Sequence, residues 1–118
     1  MWRLHPSSVL EYLNSGDASL EDIQQALQYE MPFRIHALIG LERKCTQKRP
    51  AISPELLSIV CGLTHDNERE VTGMRVADYA ICCLLTIGTP EALACAHKAI
   101  AEMKAEAPNF FERCNEAW

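Results

Sequence analysis

Four histidines, six cysteines and sixteen carboxylates are the side chains of this 118-residue chain that could do chemistry. An imidazole that holds a metal needs further ligands at a suitable spacing. His5, His36, His65 and His97 are scattered, and none is followed directly by Glu. His65-Asp66 comes nearest to a ligand pair, and it reads more simply as a loop His beside a helix-capping Asp. Cys45, Cys61, Cys82, Cys83, Cys95 and Cys114 form no C-x-x-C pair and no zinc-finger spacing with His, so structural zinc is not expected. A thiol nucleophile or redox sensor needs exposure and a cationic neighbour. Cys82 and Cys83 instead lie among Ile81, Leu84 and Leu85. They point about 100° apart on one helix, so at least one faces the core. Reduced, buried thiols are expected, together with no catalytic residue, no metal and no cofactor.

The carboxylates are the stronger candidates. Asp66, Glu68 and Glu70 stand together, Asp78 follows, and Glu55 and Glu91 occupy equivalent helix starts. Acids there complement the helix dipole by ~0.3–1 kcal/mol each. The same six residues would make a negative edge that steers a basic protein partner, and they are the candidate binding residues. The formal net charge is −5, from 11 basic and 16 acidic side chains. Residues 1–50 carry six of each sign, whereas residues 51–118 carry five basic and ten acidic groups. Such a surface repels phosphate backbones, so nucleic acid is not an expected partner. Arg43, Lys44, Lys48 and Arg49 are the local exception, read here as a solvated basic connection.

These residues must be positioned by helices, for there is almost no strand signal. The length suits one domain over residues 1–118, and apolar and charged fractions of 48% and 23% suit a folded chain. No apolar run reaches the roughly 18 residues of a membrane span, and the start lacks a signal-peptide layout, so a cytoplasmic protein is expected. Pro6 to Asn14 reads as a first helix, closed by Ser15-Gly16-Asp17. Ser19 caps a second, with Asp22 at its third position and Leu20, Ile23, Ala26 and Leu27 on one face. A third starts at Pro32 and reaches Cys45, followed by a polar connection from Lys44 to Pro50. Ser53-Pro54-Glu55 opens a fourth, running to Leu63 or Thr64. A fifth begins between Glu68 and Met74 and runs to about Ile87, with Gly88 a fitting C′ residue. Thr89-Pro90-Glu91 opens a sixth, to about Ala105, and Pro108 a short terminal one with Phe110, Phe111 and Trp118.

Two units can be superposed. Phe33-Arg34-Ile35 with Ser53-Pro54-Glu55-Leu56-Leu57 matches Met74-Arg75-Val76 with Thr89-Pro90-Glu91-Ala92-Leu93. The offset is 41 residues at Arg34/Arg75 and 36 at Pro54/Pro90, and the connection absorbs the difference. A helix-pair period near 40 marks an α-solenoid. Residues 76–93, VADYAICCLLTIGTPEAL, resemble a HEAT-like repeat of the short bacterial kind, roughly V-x-x-x-A-x-x-x-L-x-x-I-G-x-P-E-A-L.

The resemblance implies an all-α fold, a short α-α superhelix of six to seven helices. Residues 6–29 would be a leading pair, 32–65 the first repeat, 68–105 the second and 108–118 a C-terminal cap. It also implies a binding role without naming a partner. Di-iron hydroxylases of this fold use His-Glu pairs, which this chain lacks. Phycobilin lyases need a longer array. The alkylpurine glycosylases need a basic concave face and aromatic residues, whereas the later helices here are acidic. The expected function is a non-enzymatic protein-binding module, in its most specific form an immunity-type inhibitor of a basic toxin. The alternatives are a structural adaptor or self-associating subunit, such as a homodimer, and a small nucleic-acid-binding protein using Arg43, Lys44, Lys48 and Arg49.

Overall fold

Helix α1, Pro6–Asn14, buries Val9 and Leu13, four residues apart on one face. The chain leaves it through Gly16, whose φ of 91° favours glycine. Helix α2, Leu20–Leu27, starts where Ser19 accepts the Asp22 backbone N–H at 3.1 Å and buries Ile23, Ala26 and Leu27. These coordinates belong to a computed structural model that describes residues 6–69 and 73–106. Every element among them is helical apart from one isolated bridge between Arg69 and Arg75.

Helix α3, Phe33–Lys48, differs from expectation at both ends. Pro32 stands at the N-cap rather than inside the helix, and the helix runs three residues past Cys45. Lys44, Gln47 and Lys48 are good helix formers, so the basic stretch expected as a connection continues the helix. Pro50 stops it, because its ring disfavours helical backbone at Arg49. Arg49 is left-handed, with φ 45°, and its N–H returns to the Cys45 carbonyl.

Helix α4, Pro54–Gly62, begins as its cap-Pro-acid motif requires, with Ser53 Oγ accepting the Leu56 N–H at 3.1 Å. A 3₁₀ turn, Leu63–His65, extends it. Helix α5, Val76–Ile87, starts just beyond the expected window, because Arg75 and Asp78 form its cap. Gly88 ends it with φ 71° and its N–H on the Leu84 carbonyl. Helix α6, Pro90–Glu106, buries Ala92, Ala96 and Ala99 on one stripe. The expected terminal helix with Phe110, Phe111 and Trp118 lies outside the described residues.

The packing alternates. Helix α3 lies between α1 and α5, while α4 lies between α2 and α6. The two sets are joined by α2 on α3, α4 on α5 and α5 on α6. The odd helices thus pack on one another and the even helices on one another. Gly40 sets the α1–α3 approach, since a Cβ there would lie 1.7 Å from the Leu13 carbonyl oxygen. Between α3 and α5 the buried Cys83 thiol donates to the Leu38 carbonyl at 2.9 Å. No helix among the described residues is long and apolar enough to cross a membrane.

Candidate functional site

Asp66 follows the 3₁₀ turn and meets Arg34 of α3 at 2.8 Å. The same guanidinium lies 3.9 Å from Glu68, and its Nε donates to the Leu27 carbonyl at the end of α2. The other Asp66 oxygen accepts the Glu68 backbone N–H at 2.9 Å, and its carbonyl accepts the Ala77 N–H. Asp78 accepts both the Arg75 backbone N–H and its guanidinium, each at 2.9 Å. Arg75 also reaches Asn67. Asp66 and Asp78 are only 19% and 14% exposed. Asp66 and Glu68 therefore gather around Arg34, while Asp78 meets Arg75, and these pairs tie residues 66–68 and 75 to the helices. Glu55 and Glu91 stand apart in the first turns of α4 and α6, both exposed. Glu70 lies outside the described residues.

The basic cluster is engaged as well. Arg43 donates to the Asn14 carbonyl at 2.6 Å, Lys44 to the Ala18 carbonyl at 2.8 Å, and Lys48 pairs with Asp17 at 3.2 Å. Three consecutive contacts from the end of α3 thus clamp the α1–α2 turn.

His65 and Asp66 diverge. His65 Nε2 meets Glu102 at 2.9 Å on α6, and its Nδ1 lies 3.3 Å from the Thr64 hydroxyl, which donates to the Cys61 carbonyl. His36 Nδ1 faces the Asn14 amide at 2.9 Å. Among the described residues, no group of three or more His, Cys, Asp or Glu side chains could hold a metal ion. Burial, and then a hydrogen bond with the Cys95 thiol, pushes Cys61 up to about 12. Burial also raises Cys45, Cys82 and, furthest, Cys83. A thiol held protonated is a poor nucleophile at neutral pH.

A concave feature lies elsewhere. An open groove of about 800 Å³ separates α2 from the start of α4. Leu20 and Leu56 supply its apolar part, and Glu21, Gln24, Gln25 and Gln28 its polar wall, with Asp22 and Tyr29 beside them. The Tyr12 hydroxyl donates to Asp22 at 2.6 Å and accepts the Ser19 N–H, which fixes that carboxylate against α1. Tyr29 packs edge-on to Phe33, with ring centroids 6.2 Å apart. No Lys or Arg is among the groove-lining residues. An amide both donates and accepts, so this wall can satisfy peptide groups, while the carboxylates can meet a cation. The signal for it was in the chain: positions 21, 24, 25 and 28 follow i, i+3, i+4, i+7 on the face opposite the apolar stripe.

Comparison with family models, with curated proteins and with solved structures returns no match. The geometry itself shows an all-helical fold with a polar groove between α2 and the start of α4.

Proposed function

We propose that this protein is a protein-binding module, a short HEAT-like α-solenoid that holds its partner on the face built by α2 and α4. The observation that carries this reading is the open groove of about 800 Å³ lined by amides, carboxylates and two leucines. Those groups recognise a polypeptide by hydrogen bonds and apolar contact, and they sit on helices, which hold them in fixed relation. The net charge of −5 favours a basic partner and speeds its encounter. In its most specific form the module is an immunity-type inhibitor, in which occupying the face silences a basic toxin. Free thiols at Cys45, Cys61, Cys82, Cys83 and Cys95 suit a reducing compartment such as the cytoplasm.

Affinity capture with the native chain, run beside Gln25→Trp, tests the reading. Gln25 is exposed, so the indole fills the groove without disturbing the core. A protein retained by the native chain and lost with Gln25→Trp is the expected result. Nucleic acid recovered without protein, or a partner indifferent to Gln25→Trp, overturns it. Light scattering at two concentrations identifies the case in which that partner is a second copy.

A further inference from the structure

We propose that the α2–α4 groove takes an extended basic segment of a partner protein, with a Lys or Arg side chain set against Glu21 and Asp22. The inference rests on the protein-binding reading and adds the chemistry of the occupant. Three features converge. The first is charge: the wall carries Glu21 and Asp22 and no cation. Among the described residues neither carboxylate has a salt-bridge partner, although Asp22 accepts the Tyr12 hydroxyl. Asp66 and Asp78, by contrast, each face an arginine. A cation entering the groove therefore displaces no internal pair.

The second is spacing. Gln24, Gln25 and Gln28 continue from Glu21 along one face, with i, i+3 and i, i+4 neighbours about 4.5–6 Å apart along the axis. An extended chain advances about 3.3 Å per residue, so peptide groups fall within reach of successive amides. The eight residues of α2 span about 12 Å, enough for three or four extended residues. The third is the apolar part. Leu20 and Leu56 offer contact to the methylene stem of Lys or Arg while its head stays with the carboxylates. A phosphate-bearing ligand would meet the same carboxylates as repulsion.

The test is NMR titration of the full, isotope-labelled chain with hexa-arginine, and with hexa-glutamate as control. Shifts centred on the backbone amides of Glu21, Gln24, Gln25, Gln28 and Ser53 are expected with hexa-arginine and absent with hexa-glutamate. Glu21 is exposed and pairs with no cation, so its variants keep the fold. Glu21→Gln should weaken hexa-arginine about threefold and Glu21→Lys about tenfold. Exposed Glu68 and Glu91 are the internal control. Shifts centred on them, spread evenly over the surface, or unchanged by Glu21→Lys would overturn the inference. A captured protein partner that is lost with Gln25→Trp yet retained in full by Glu21→Lys would overturn this inference alone, leaving the binding module standing.

Discussion

The loop between α4 and α5 and the wall of the α2–α4 groove are both acidic, and they use charge in opposite ways. In the loop, Asp66 and Asp78 are mostly covered and each faces a guanidinium at under 3 Å. Arg34 ties α2, α3 and the loop together, and Arg75 ties the loop to the start of α5. In the groove, Glu21 is exposed and no cation lies beside it among the lining residues. Carboxylates of one type thus become struts where arginines fold onto them and contact points where none does. Net charge alone cannot tell the two apart.

Both regions hang on α3, so the largest effect belongs to its closest contact. Gly40→Ala places a methyl group 1.7 Å from the Leu13 carbonyl, backbone that cannot give way without moving α1. Overpacking of this kind costs about 3 kcal/mol or more, and urea denaturation should show the midpoint falling accordingly. An unchanged midpoint would mean that α1 does not cross α3 there.

Removal of a strut comes next. Asp66→Ala leaves half-buried Arg34 with only the Leu27 carbonyl and the more distant Glu68, and Asp78→Ala also uncaps α5. Each should destabilise by about 2 kcal/mol, read from urea midpoints. A loss under about 0.5 kcal/mol from both would return these two carboxylates to the set available for binding.

A smaller effect is alkaline. Cys61 sits at about 12 against an ordinary 9.0, chiefly through burial. Its proton is held more tightly in the folded chain than in the unfolded one. The stability this lends is complete below pH 9 and is lost as pH climbs from 9 towards 12. Cys45, Cys82 and Cys83 act in the same sense. The urea midpoint should fall above pH 9, and Cys61→Ala should make that fall shallower. A parallel fall in both proteins would remove Cys61 from the account.

The helices were legible because their ends are written in local chemistry. Ser19, Ser53 and Thr89 cap where a side-chain oxygen precedes an acidic first turn, and Gly88 stops α5 at the expected residue. The end of α3 was not, since Lys44 to Lys48 read equally as a polar loop and as a solvated helical turn. Helix propensity favours the turn, and Arg43 and Lys44 then reach the carbonyls of Asn14 and Ala18, far off in sequence. The acids were found as residues but not as roles. Whether Asp66 points to solvent depends on Arg34, 32 positions earlier, and no spacing rule links them. The groove was hidden for a related reason: it exists only once α2 and α4 are neighbours.

The smallest change in stability belongs to Glu21→Gln. The side chain is exposed and carries no ion pair, so only its place in the first turn of α2 is lost and stability should fall by less than about 1 kcal/mol. That small loss is informative beside the roughly 2 kcal/mol expected for Asp66→Ala. A group that holds the frame shows itself in stability, whereas a group that meets a partner shows itself in affinity while stability stays flat. If Glu21→Gln lowered the midpoint as far as Asp66→Ala does, Glu21 would be a strut too. The contrast between the two acidic regions would then fail at its most exposed point.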